Sequence, residues 1–231
     1  VVRPDALVAT NTSGLSVTAL ADATRSPGRV IGLHFFNPAS VMPLVEVIAG
    51  AATTEDTVSR AITLAAELGK TPVRVSECPG FVVNRVLVRA MAEAYRAAAG
   101  APVEREGADR AVVDGGPAPM GPFALGDLVG LDVLESIRGD LEAAYGDRFA
   151  DAGTLAPLVA AGHLGRKSGG GLLPGTGGGG SGAEPVVAAV YYAAALDEAR
   201  RLADEGVAAP DDIDLAMRLG AGWTQGPLAA G

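Results

Sequence analysis

Val30-Ile31-Gly32-Leu33-His34-Phe35-Phe36-Asn37-Pro38 and Leu44-Val45-Glu46-Val47-Ile48 decide how this chain reads. Both hold short, continuous apolar runs rich in β-branched residues, which suit buried strands. Upstream, Ala6-Leu7-Val8-Ala9-Thr10 is a third such run. Between it and Val30, Leu15, Ala19, Leu20 and Ala23 fall at helical spacing and stop at Pro27-Gly28. Downstream, Thr53 reads as a helix N-cap with Asp56 three residues on. Val58, Ile62, Ala65 and Leu68 mark the buried face of that helix, and Gly69 ends it. Pro72-Val73-Arg74-Val75 is a last strand. Strands alternating with helices predict an α/β layer.

From Pro79-Gly80 onward the period changes. Val83, Leu87, Ala90, Met91, Ala94 and Ala98 trace one helical face. Pro122 suits a helix start, Leu134, Ile137, Leu141 and Tyr145 trace another helix, and Leu155, Leu158 and Val159 a shorter one. The fold class expected is α/β followed by all-α.

Residues 169–182 are glycine-rich and read as a flexible linker. Gly175-Thr176-Gly177-Gly178-Gly179-Gly180 matches G-x-G-x-x-G formally, but no strand precedes it, so it is not a dinucleotide fingerprint. Beyond it the chain repeats itself. A constant offset aligns Glu93 with Glu198, Arg96 with Arg201, Asp109 with Asp214, Gly115 with Gly220, Gly121-Pro122 with Gly226-Pro227, and Gly126 with Gly231.

The chain has 231 residues, 48% of them apolar, which is enough to bury a core. Its net charge of −9 repels phosphate backbones, so no nucleic-acid partner is expected. One cysteine, Cys78, and two histidines exclude a disulfide and a Cys/His zinc cluster, and no metal is expected. No apolar run has the length of a membrane span, and Arg3 and Asp5 interrupt any signal peptide, so a cytoplasmic location is expected. The chain starts with Val1 and passes at once into a strand, so it is expected to be a piece of a longer protein.

Two ionisable residues stand inside the apolar runs. His34 ends one strand, and Glu46 sits within another, twelve residues on. A buried acid is costly unless paired. A carboxylate beside the imidazole would fix its tautomer and make it a general base at the carboxyl ends of the strands, where open α/β sheets take ligands. The other reading is a core histidine with an edge-strand Glu46 facing water, and the residues alone leave both open. Ser13 follows the first strand and either caps the next helix or contacts a ligand. Asn84 begins the helix where the two architectures meet. Gly165-Arg166-Lys167-Ser168-Gly169 either binds a phosphate or is a solvated loop, and His163 is a surface residue.

Asn11-Thr12-Ser13, Gly32-Leu33-His34-Phe35-Phe36-Asn37-Pro38, Met42-Pro43-Leu44-Val45-Glu46-Val47-Ile48, Gly69-Lys70, Pro79-Gly80-Phe81-Val82-Val83-Asn84-Arg85 and Met120-Gly121-Pro122-Phe123 resemble the L-3-hydroxyacyl-CoA dehydrogenases of fatty-acid β-oxidation. The resemblance runs from residue 1 to about residue 170. It implies the C-terminal half of a Rossmann-type dinucleotide-binding domain over 1–78. A 6-phosphogluconate-dehydrogenase-like helical domain would follow over 79–168, then the linker 169–182 and a second helical copy over 183–231. It implies NAD as cofactor and an acyl-CoA substrate. His34 would be the general base and Glu46 its support, with Ser13 between cofactor and substrate. Asn84 would bind substrate, and Asn37 and Lys167 would contact the cofactor. The helical copies would form a homodimer or, in the tandem form, a pseudo-dimer within one chain. The second copy carries Ala189-Val190 where the first has Asn84-Arg85, so it is expected to be non-catalytic. The rival expectation is an inactive fragment serving as an acyl-CoA-binding or assembly module, because the family's glycine-rich turn is absent from these residues. The sheet, lacking the strands of that half, is expected to leave an open edge and a marginally stable chain.

Overall fold

The structure is a computed structural model. It describes Arg3, residues 5–101, 103–173 and 182–230. The Gly175–Gly180 segment, the start at Val1 and the repeat match at Gly231 lie outside these residues. The chain divides into two compact units, Val1–Val83 with Ala199–Gly222, and Asn84–Glu198 with Trp223–Gly231.

The first unit is built on four strands, β1 (Val8–Thr10), β2 (Val30–Phe35), β3 (Leu44–Ala49) and β4 (Thr71–Ser76), which lie side by side in that order. The sheet is mixed. β1 runs parallel to β2, β3 antiparallel to β2, and β4 parallel to β3. The connection 36–43 is too short for a crossover helix, so β3 must return antiparallel. The connections holding α1 (Val17–Asp22) and α2 (Glu55–Glu67) are long enough for parallel pairing.

Strand side chains alternate between faces. Ile31, Leu33, Val45 and Val47 point one way and pack with Val58, Ala61 and Ala65 of α2. The other face carries His34 and Glu46. There Gly32 lies close under Val17 of α1 and Ile48, leaving no room for a Cβ. The helix α9 (Pro210–Gly220) also belongs to this unit. Gly220 lies against Leu44 and Val83, and the Ser76 N–H at the end of β4 donates to the Val207 carbonyl at 2.7 Å.

Helix starts differ from the sequence reading by small steps. The cap of α1 is Ser16, whose hydroxyl accepts the Ala19 N–H, and not Ser13. The cap of α2 is Thr54, not Thr53, because Thr53 turns its hydroxyl to the Val30 carbonyl.

The second unit is helical: α3 (Val83–Ala99, from Asn84 on), α4 (Arg105–Gly115), α5 (Pro122–Val129), α6 (Leu131–Tyr145), α7 (Leu155–Ala160) and α8 (Glu184–Asp204, to Glu198). α4 carries few apolar residues, so its sequence alone does not mark it as a helix. Buried aspartates pin its loops. Asp109 accepts the N–H groups of Phe123 and Ala124 at the start of α5 (2.9 and 2.8 Å), and Asp151 those of Gly153 and Leu155. Asp127 accepts from Leu172 and Leu173 at 2.7 and 2.9 Å. Leu172 is buried, so this part of the stretch read as a linker is fixed in the core by Asp127. The bounds of α9 follow those of α4 by the spacing of the sequence repeat. Among the described residues no helix is long and apolar enough to cross a membrane.

Candidate active site

His34 and Glu46 are register partners across the antiparallel β2–β3 pair, so their side chains leave the sheet on one face. His34 Nδ1 lies 2.6 Å from Glu46 Oε2. Glu46 is fully buried and His34 is 5% exposed. β3 is an inner strand, so the reading of Glu46 as a water-facing edge residue does not hold.

The second Glu46 oxygen is satisfied by backbone. Oε1 accepts the N–H groups of Val82 and Val83 at 3.1 and 3.0 Å, at the start of α3. Helix N-terminal N–H groups have no partner within their own helix, and the helix dipole favours negative charge there. They replace the water that burial removes from this carboxylate. The sequence folds this way because Gly80 and Phe81 take left-handed backbone conformations, φ 77° and 50°, and turn the chain into the helix. Such a φ is costly for a bulky residue, about 1–3 kcal/mol. The buried Phe81 ring offsets it, with its centroid 5.6 Å from that of His34. Phe36 packs edge-on against the imidazole at 4.7 Å.

With Nδ1–H given to the carboxylate, Nε2 holds a free lone pair. Ser13 Oγ lies 3.0 Å from it. Ser13 is placed by a tight turn in which Thr12 Oγ1 accepts the Gly14 and Leu15 N–H groups at 3.2 and 2.6 Å. Asn11 joins the ends of β1 and β2, its Oδ1 accepting the Phe35 N–H at 2.9 Å. Glu77 anchors α1 by accepting from Ser16 Oγ and the Thr18 N–H. Burial works against the Glu77 charge, but the hydrogen bonds from Thr18 and Ser16 outweigh it and hold the carboxyl below its ordinary range.

The structure thus joins Ser13, His34 and Glu46 in one line of hydrogen bonds at the carboxyl ends of two parallel neighbours, β1 and β2. Asn37 is exposed three residues beyond His34. Asn84 is half-buried in the first turn of α3, next to Val83. Lys167 belongs to the second unit, where its ammonium lies 2.5 Å from Asp132 Oδ1. The backbone donors Val82 and Val83 had no side-chain signature. Among the described residues no group of three or more His, Cys, Asp or Glu could hold a metal.

Exposed Ser13 and Asn37 offer neutral hydroxyl and amide groups, and Leu15 beside Ser13 is 67% exposed. This set fits a nicotinamide ring with its carboxamide and ribose, which need uncharged donors and an apolar contact.

Comparisons with known proteins show the family. Residues 1–78 match the model of the 3-hydroxyacyl-CoA dehydrogenase NAD binding domain, and residues 80–174 and 187–231 match the C-terminal domain of that family. A 3-hydroxybutyryl-CoA dehydrogenase of Clostridioides difficile is 46% identical over 167 residues, covering 72% of this chain and 59% of the relative. A 3-hydroxyadipyl-CoA dehydrogenase of Escherichia coli K12 is 44% identical over 174 residues, 74% of this chain and 37% of the relative. The crystal structure of 3-hydroxybutyryl-CoA dehydrogenase from E. coli K12 superposes with a TM-score of 0.88 at 30% identity, over 98% of this chain and 68% of that one. The chain spans about six-tenths of the length of the C. difficile relative.

Proposed function

The chain belongs to the 3-hydroxyacyl-CoA dehydrogenase family, and from that premise we propose that it carries the proton-transfer site for oxidising an L-3-hydroxyacyl-CoA to the 3-oxoacyl-CoA. The supporting observation is the continuous line from Ser13 Oγ to His34 Nε2, and from His34 Nδ1 to the buried Glu46. His34 Nε2 takes the proton of the substrate 3-hydroxyl. The imidazolium so formed is held by Glu46, whose other oxygen stays fixed on Val82 and Val83. NAD, when bound, supplies the acceptor for the hydride that leaves C3. Ser13, whose hydroxyl neighbours His34 Nε2, contacts the reacting hydroxyl and the nicotinamide. Asn84, directly after Val83, binds substrate, and Asn37 contacts the cofactor.

Relatives named for 3-hydroxybutyryl-CoA and 3-hydroxyadipyl-CoA support a CoA thioester of a 3-hydroxy acid as substrate. The helical copies, 79–168 and 183–231 about the 169–182 connection, act as a pseudo-dimer within the chain. Tyr192 Oη of the second copy donates to the Val112 carbonyl of the first, and the Thr224 N–H to that of Pro117.

The test is NADH formation from a short L-3-hydroxyacyl-CoA, with these residues joined to a complete nucleotide-binding half. His34→Ala is expected to lower kcat by roughly two to four decades. Full activity in that variant overturns the reading.

A further inference from the structure

His34 and Glu46 stand on either side of the 36–43 connection, and little packing holds that connection in place. Residues 37–41 are exposed, Val41 at 72%. Buried apolar contacts, which keep a segment from opening locally, are missing there. Within the connection, the Val41 and Met42 N–H groups donate to the Pro38 carbonyl, both at 2.9 Å. Among the described residues, the hydrogen bonds that reach 37–43 from outside come from one place. Lys70 Nζ donates to the Ala39 carbonyl at 2.5 Å and to the Met42 carbonyl at 2.9 Å, and the Thr71 N–H donates to the Pro43 carbonyl at 2.8 Å.

Lys70 is aimed by the end of α2. Gly69 takes φ 72°, and the N–H groups of Gly69 and Lys70 close on the Ala66 and Ala65 carbonyls at 2.9 and 3.0 Å. This is the paired-bond ending that a left-handed glycine gives a helix. It fixes the Lys70 backbone, and an ammonium, with three donors and no acceptor, serves two carbonyls at once. The connection so held carries Phe36, edge-on to the imidazole at 4.7 Å, and the exposed Asn37.

We propose that Lys70 is a positioning residue: it holds the 36–43 connection so that Phe36 stays on His34 and Asn37 stays presented to NAD. This rests on the dehydrogenase reading above. All these residues belong to the first compact unit. Without the ammonium, the Ala39 and Met42 carbonyls turn to water, which satisfies them in many conformations of the connection. NAD must then remove that freedom on binding. The loss falls on binding more than on the chemical step, because His34 Nδ1 keeps its own bond to Glu46.

The experiment has two readouts. In the proton NMR spectrum of the chain itself, the His34 ring should show contacts to Phe36 and Phe81, whose centroids lie 4.7 and 5.6 Å away. Lys70→Met keeps an unbranched stem and removes the donors. It should weaken the His34–Phe36 contact and leave the His34–Phe81 contact in place. In the NADH assay, with the complete nucleotide-binding half joined, it should raise KM for NAD on the order of tenfold and change kcat by less than about threefold. Lys70→Arg, a cation with several N–H donors, should recover most of both readouts. Asn37→Ala should raise the same KM, and Lys70→Met placed on it should add no more than about twofold, as coupled residues require. An unmoved Phe36 contact, an unchanged KM or full additivity with Asn37→Ala overturns the role of Lys70 alone, provided His34→Ala is inactive. Loss of the Phe81 contact together with that of Phe36 also overturns it, because Lys70 would then belong to the scaffold. An active His34→Ala overturns the dehydrogenase reading beneath it.

Discussion

Glu46 Oε2 sits 2.6 Å from His34 Nδ1, while Oε1 is held by two backbone N–H groups, so both carboxylate oxygens are engaged. An amide in this place cannot serve both sides. Glu46→Gln must turn its NH2 toward either the His34 N–H or the α3 N–H groups, setting donor against donor. We expect kcat to fall by about two to four decades, as when the orienting acid of a histidine base is lost. Stability should fall by about 1–3 kcal/mol. Stopped NADH formation and a lowered urea midpoint check the two halves separately.

Ser13 is exposed, and its hydroxyl is the near neighbour of His34 Nε2. Ser13→Ala removes that contact but buries nothing and strands nothing. Stability should stay within about 0.5 kcal/mol of the parent. NADH formation should fall on the order of tenfold in kcat/KM, the size of one hydrogen bond. A large loss of thermal stability would place Ser13 in the scaffold instead.

Burial pushes the Asp109 carboxyl up to about 6, and the Phe123 and Ala124 N–H groups only partly oppose it. An acid with a higher pKa folded than unfolded binds more protons in the folded state. Its contribution is therefore full below the ordinary aspartate range near 4 and is lost as pH rises through about 6. The unfolding free energy of the parent minus that of Asp109→Asn should drop by about 3 kcal/mol between pH 3.5 and pH 7. Denaturant melts across that interval measure it, and a flat difference contradicts it.

Gly121 lies against Asp109, so a Cβ there would overlap both the Asp109 backbone and its carboxylate. Gly121→Ala must push the α4 and α5 ends apart and break the cap on Phe123 and Ala124. We expect a loss of about 2–4 kcal/mol, above the usual cost of an extra methyl because backbone is what it meets. A thermal melt within a few degrees of the parent would contradict this. The same packing gives a physical reason for the Gly-Pro step of the repeat: proline starts the helix and glycine admits the aspartate.

His34 and Glu46 were legible because each is a lone ionisable residue in an apolar run, and a strand's period of two puts facing partners on one side. The antiparallel return at β3 was implicit in the short 36–43 connection. The caps were not resolvable: Ser13 competes with Ser16, and Thr53 with Thr54, at equivalent spacings, and tertiary bonds decide between them. Asn11, Thr12 and Glu77 act through backbone groups brought near only by folding, so no local pattern marks them.

Strand register moves in whole residues, and a step of one carries a side chain through to the opposite face. The facing of His34 and Glu46 in β2 and β3 therefore has no intermediate setting. Drift in the length or composition of the 36–43 connection leaves the proton path untouched, whereas deleting one residue ahead of Glu46 within Leu44–Ala49 abolishes it outright. Evolution can retune what surrounds this pair, but the pair itself is kept whole or lost.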